Sequence, residues 1–344
     1  MTDVAISINA KLESTNGSKH IYPATFAGIG HNLVGHEKQT GRASAVQIDS
    51  VGSFANRIEK ELAALKLLPE ITTTVGGREL SIHDLPHRAY DAILRDSLLN
   101  DTPWRQSEIG SAVLGSTMSN ATSLYRYAPL TLLLGGWDSH GGDAGAGAKI
   151  ARSVACEIWG YGVQTVKHCT QRIDPLDITA NSEKHAVVNG ILELDDKGKK
   201  PSELGHGDVP SSDSKGVFVD RIELNGAISF TRLNRYHFPD DDGNVSEARD
   251  NTGRDVLVQL ALVGIARVMD RLDLRSGCEL YTSSREAQII SADGTRTSME
   301  LTSSTEKLKE AISAAERHGL VFAEEPVRLL AGVALERLAA KGGV

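Results

Sequence analysis

GVFVDRIELNGAISFTRLNRYHF, Gly216 to Phe238, is the stretch whose reading decides the fold. Two apolar, β-branched runs, GVFVDRIEL and GAISFTRLNRYHF, meet at Asn225-Gly226. That dipeptide supplies the positive φ angles of a tight turn, so the spacing predicts a β-hairpin. The acidic loop PDDDGN, 239–244, ends it.

Downstream, 254–272 reads as a helix that is apolar around much of its circumference, and hence buried. LDLRSGCELYTS (272–283) and AQIISA (287–292) read as strands. The last stretch, 300–344, reads as a helix-strand-helix segment. Its helices fall at about 304–317 and 325–340 and flank the strand GLVFAE (319–324).

Upstream, 194–216 holds little that packs and reads as a mobile insertion. Before it, YAPLTLLL (127–134) predicts a buried strand that runs into the loop GGWDSHGGDAGAG. An amphipathic helix is expected from about 148 to 159. A further helix is expected over 81–99, with Pro86 near its start.

Over 47–68, Val51, Phe54, Ile58, Leu62 and Leu65 recur at helical steps until Pro69 closes the pattern. Residues 18–42 read as a short strand and a loop. The sum is one elaborated α+β domain over 1–344, compatible with a ferredoxin-like β-α-β-β-α-β core carrying large insertions.

Composition narrows the function classes. At 40% hydrophobic and 24% charged residues, the chain can bury an ordinary core. A net charge of −8 argues against a coat of basic residues but leaves room for a local basic track. Cys156, Cys169 and Cys278 form no C-x-x-C pair, so reduced cysteines are expected rather than a zinc ribbon or disulfides. The N-terminus lacks a signal-peptide pattern, and the apolar run Val256 to Met269 is too short to span a bilayer. The expectation is a soluble cytoplasmic protein without a membrane partner.

Two basic stripes stand out. On the helix over 47–68, Ser50, Ser53, Arg57 and Lys60 share a face, with Asn56 beside them. Hydroxyls, an amide and cations suit phosphate and sugar oxygens. The competing reading is a solvated face balanced by Glu59 and Glu61. The second stripe is the glycine-rich loop with His140, followed by Lys149 and Arg152 on one face of the expected helix. It lacks the Gly-Lys-Ser/Thr of a Walker loop and the third glycine of a dinucleotide fingerprint.

Catalytic patterns are weak. His83 and His87 lie four apart but no Glu follows His83, and Asp240–Asp242 lack the later Glu of a calcium loop. No G-x-S-x-G elbow occurs. No cofactor is expected.

Three segments together resemble the backbone subunit of type I-G (formerly I-U) CRISPR Cascade, in the RAMP superfamily. IDSVGSFANRIE, at Ile48 to Glu59, is similar to that family's Glu-Ser-x-x-Ser-x-Ala-Asn-Arg-Leu-Glu. LLLGGWDSHGGDAGAGAKIARSVACEI, at Leu132 to Ile158, is similar to its Gly-x-Trp-x-Ser segment followed by Gly-x-Gly-x-Lys/Arg-x-x-Arg. LDLRSGCEL, at Leu272 to Leu280, is similar to its Leu-Arg-Leu-Arg-Thr-x-Cys-Asp-Leu. Order and spacing agree over roughly 25–285; the 194–216 insertion and the last 60 residues are not covered.

The resemblance implies an RRM-like palm with finger and thumb insertions. Copies would stack head-to-tail on a crRNA beside other Cascade subunits, and target DNA would pair with the guide. It places RNA-backbone contacts at Ser53, Asn56, Arg57 and Lys60, and at His140, Lys149 and Arg152. Arg275 is a further candidate, on a strand where nearby acids compete for it, and Trp137 is read either as a stacking or as a core residue. On this reading the chain is not an enzyme. The alternatives are a metal-dependent ribonuclease using His140 with Asp138 or Asp143, and a nucleotide-binding metabolic protein.

Overall fold

The structure, a computed structural model, describes residues 3–138, 149–166, 174–178, 183–207 and 216–341. Its centre is built from β1 (Asp3–Ser14), α1 (Val51–Ala63), β2 (Val154–Thr165), β3 (Arg221–Ser229), α2 (Glu247–Asp270) and β4 (Leu280–Ser291). β1 pairs antiparallel with both β3 and β4, and β3 pairs antiparallel with β2. The spatial order is therefore β4-β1-β3-β2. With one helix after β1 and another after β3, this α+β arrangement is consistent with a ferredoxin-like superfamily member.

Strand periodicity explains which face is buried. In β1, Ile6, Ile8, Ala10 and Leu12 are buried and alternate with Asn9 and Lys11, which are exposed. The buried rows join Leu224 of β3, Ile158 of β2 and the apolar sides of both helices in a single core. The helices meet at Gly264, where a Cβ would fall 2.7 Å from Ile58 Cγ2. A side chain there would push α1 off α2.

The strand Arg42–Asp49 extends the sheet beyond β2 and turns directly into α1 through its cap, Ser50. The long insertion between α1 and β2 contributes most of a second sheet, in which the C-terminal strand Val327–Ala331 lies between Ile71–Val75 and Ser97–Leu99.

Several elements differ from the sequence expectations. Asn225-Gly226 is no turn: β3 runs straight through it, with Asn225 opposite Asn9 on one side and Glu157 on the other. Gly226 is required by close approach, since a Cβ would lie 2.4 Å from Cys156 Sγ. The second half of that stretch is the short helix Phe230–Leu233, capped by Ser229.

The expected helix over 148–159 is instead Lys149–Ile150 and then β2, whose Val154, Cys156 and Ile158 are buried at alternate positions. Conversely, 127–134 holds the helix Pro129–Leu134, buried at every position. A short run that is apolar but for Thr131 carries no period to distinguish helix from strand.

The 81–99 helix is broken into the turns Ile82–Asp84 and Arg88–Tyr90 and the short helix Ala92–Arg95. Leu85 is held extended ahead of Pro86, and Arg88 adopts φ +52°. α2 begins at Glu247, seven residues before the expected start at 254. Residues 272–279 are irregular with a turn at 276–277 rather than strand, and the GLVFAE segment is irregular too, with the strand following at Val327–Ala331 and the last helix at Val333–Lys341. Within 194–216, a short turn forms over Pro201–Leu204.

Candidate nucleic-acid interface

Leu134 ends its helix at Gly135, whose φ of +83° and a Cβ position 2.8 Å from Arg152 Cγ admit only glycine. At Gly136 a Cβ would meet the Tyr90 ring at 2.6 Å. These two glycines lay the backbone against the body of the protein and deliver Gly136–Trp137 into a ladder with Lys149–Ile150. Trp137 stands directly opposite Lys149, so the two side chains share a face as a cross-strand pair. The indole is 59% exposed, which places Trp137 outside the core.

Beside this ladder lies a cavity of about 620 Å3, lined among others by His87, Arg88, Trp137, Lys149, Arg152 and Arg232. Among the described residues no carboxylate lines it. Arg152 Nε donates to the Leu134 carbonyl at 3.1 Å, and the Arg152 carbonyl accepts from Arg232. Burial, with the Arg88 charge behind it, draws the Arg152 guanidinium below its ordinary pKa. An anion in the cavity would relieve that repulsion.

Arg88 is itself held in a pair. Its Nε and terminal nitrogen donate to both oxygens of Glu59, at 2.8 and 2.7 Å, and it also holds the Gly135 carbonyl at 3.1 Å. Burial pushes the Glu59 carboxyl up to about 7 against the pull of Arg88. Glu59, expected to balance charge on the surface of α1, is thus a buried brace for the cavity wall.

The α1 residues are divided between two tasks. Arg57 Nε donates to the buried Asp49 at 2.9 Å, and the same guanidinium holds the Asp273 carbonyl. It ties α1 to the turn after α2. Lys60 lies 3.8 Å from Asp273 with both side chains exposed, a weak pair in water. Asn56 is exposed and Ser53 half-buried. The first turn of α1 adjoins the cavity at Gly52, where a Cβ would lie 3.8 Å from an Arg152 terminal nitrogen.

Lys149 and Arg152, expected together on a helix, do come together, but on a short strand and the link after it. Arg275 is not on a strand and pairs with no acid among the described residues: it donates to the Pro23 carbonyl at 2.9 Å and to Thr25 Oγ1 at 3.3 Å. His140 and Asp143 lie outside the described residues. Asp138 is buried and pairs with Arg105 at 2.8 Å. Arg232 was hidden by the hairpin reading of its segment; the signal that finds it is Ser229, the cap that turns the chain out of β3.

Burial raises the Cys156 and Cys278 thiols to about 12, which leaves both unreactive. Among the described residues no group of three or more His, Cys, Asp or Glu is placed to hold a metal.

Residues 6–165 match the model of a family described as CRISPR-associated protein GSU0053. The matched stretch is fewer than half of the 344 residues and contains Trp137, Lys149 and Arg152 but not Arg232. It gives the chain a CRISPR-associated character in general terms. No curated protein matches it.

Proposed function

We propose that this chain is the crRNA-binding backbone subunit of a type I CRISPR surveillance complex, with an RRM-like palm that polymerises along the guide beside other Cascade subunits. The observation that carries this reading is the cavity lined by Lys149, Arg152 and Arg232 next to the exposed indole of Trp137. Cations with no competing carboxylate among the described residues suit successive phosphates, and an aromatic face beside them suits a base. The family match over residues 6–165 supports the CRISPR setting, and the guide rather than the protein would supply sequence specificity.

In this reading the chain binds and does not cut, and it works in the cytoplasm without a cofactor. Lys149, Arg152 and Arg232 hold the backbone, Trp137 stacks, and Ser53, Asn56 and Lys60 continue the track along α1. Arg57 acts as a positioning residue through Asp49 and Asp273. His140, which lies between Trp137 and Lys149 in sequence, would add a further backbone contact. Net charge does not oppose this, because a track of few cations on one face leaves the rest of an acidic surface to keep the assembly soluble.

Co-expression with a CRISPR array tests the proposal. Wild-type protein is expected to co-purify with uniform, repeat-flanked small RNAs, and a Lys149→Ala/Arg232→Ala protein to lose most of them. Equal RNA loading in the two proteins would contradict the assignment.

A further inference from the structure

A second cavity, of about 550 Å3, lies well apart in sequence from the cationic one and has a different chemistry. It is lined by, among others, Asn32, Val34, His36, Gln47 and Trp159, and no lysine or arginine lines it among the described residues. Gln47 and Trp159 stand opposite each other on adjacent strands, so amide and indole share one face of the sheet. Asn32 is locked to Gln47 twice, by a backbone bond of 3.0 Å from the Gln47 N–H to the Asn32 carbonyl and by a side-chain bond of 3.2 Å from Asn32 Nδ2 to Gln47 Oε1.

That pairing leaves Asn32 Oδ1 as an acceptor and Gln47 Nε2 as a donor, neither with a partner among the described residues. Flipping both amides exchanges the two roles and still presents one donor and one acceptor. An adjacent donor and acceptor are what the hydrogen-bonding edge of a nucleobase requires, and an indole offers the apolar face on which a base stacks. Among the described residues a phosphate would find no lysine or arginine there.

We propose that this cavity takes one unstacked nucleobase, with Trp159 against its face and the Asn32–Gln47 amide pair on its edge. The assignment stands on this geometry and does not depend on the filament reading above. The same chemistry serves a base within a single strand and a free nucleotide.

The test is intrinsic fluorescence of the full chain carrying Trp137→Phe. The chain has three tryptophans; Trp104, 1% exposed, adds a constant background out of a ligand's reach, so the ligand-dependent change reports Trp159. Saturable quenching by AMP and by UMP, with none from ribose 5-phosphate, is expected. Asn32→Ala and Gln47→Leu should each weaken it about tenfold, the loss of one hydrogen bond to a buried partner. Gln47→Glu, which keeps the size and replaces the donor, should weaken it similarly while circular dichroism stays native. Oligoadenylate competing more tightly than AMP places the base in a strand, and equal competition places it in a free nucleotide; either supports the site. Absence of saturable quenching at millimolar AMP, equal quenching by ribose 5-phosphate, or unchanged affinity in both amide variants overturns it. Loss of RNA loading in the Lys149→Ala/Arg232→Ala protein with AMP quenching intact would separate the two sites.

Discussion

Arg88 and Glu59 show what single side chains contribute beneath the interface. Both are buried, with side-chain exposures of 6% and 4%, and the pair is bidentate. Removing one partner leaves an uncompensated charge in the interior. Glu59→Ala is therefore expected to cost about 3–5 kcal/mol, read as a lowered urea midpoint with an unchanged slope. A cost under about 1 kcal/mol would mean that the wall of the cavity is not braced in this way.

His31 gives a pH-dependent counterpart at the same scale. Its Nδ1 lies 3.1 Å from the Ala24 carbonyl, and its Nε2 accepts from the Gly216 N–H at 3.3 Å. That set fits only the neutral ring with the proton on Nδ1. Burial and, less strongly, the Arg275 charge lower its pKa from the ordinary 6.5, while the Ala24 hydrogen bond opposes them. A lowered histidine pKa means that the unfolded chain binds the proton more readily, so stability present above about 6.5 falls as the pH drops through that value. His31→Gln should flatten the part of the stability–pH curve between pH 7.5 and 5.5 that this ring supplies, and an unchanged slope would contradict the assignment.

At the scale of elements, Asn225-Gly226 separates what sequence pattern reaches from what packing decides. As a turn it would tolerate nothing bulky; as the middle of β3 it should accept a β-former on the outer face. Asn225→Thr is accordingly expected to be neutral or to stabilise by up to about 1 kcal/mol, measured by thermal unfolding. A loss larger than that would favour a turn.

The elements that sequence reached are those with a long, clean period. α1 was visible because Phe54, Ile58 and Leu62 repeat on one side, and α2 because its apolar surface is continuous. β2 was misread because Ala151 to Ile158 carries both alanines and alternating apolar residues, and only the flanking ladder of Glu223 and Gln47 decides for a strand. The 81–99 region failed differently: its helix formers are overridden by Pro86 and the positive φ of Arg88. For the candidate site, Lys149, Arg152 and Trp137 were legible as residues but not as geometry. Arg232 and the Glu59–Arg88 brace depend on segments distant in sequence.

At the scale of the molecule, the C-terminal strand makes the chain one structural unit. Val327–Ala331 pairs parallel with Ile71–Val75 and antiparallel with Ser97–Leu99, filling the middle of the second sheet. Ending the chain after Glu325 removes that strand and exposes both neighbours. The truncated protein is expected to lose cooperative unfolding or to aggregate. A truncated chain that keeps the wild-type melting temperature would show that the second sheet stands without it.

The charge distribution works at this scale too. A chain of net charge −8 gathers Lys149, Arg152 and Arg232 around one cavity beside an exposed tryptophan, while Arg57 and Arg88 are spent on Asp49 and Glu59 within the fold. The most direct measurement is the nucleic acid bound by protein purified from cells that express a CRISPR array, read as the ratio of absorbance at 260 and 280 nm and then sequenced. The account predicts high absorbance at 260 nm from uniform, repeat-flanked RNAs, lost in the Lys149→Ala/Arg232→Ala protein. A monomeric protein free of RNA under those conditions would contradict it.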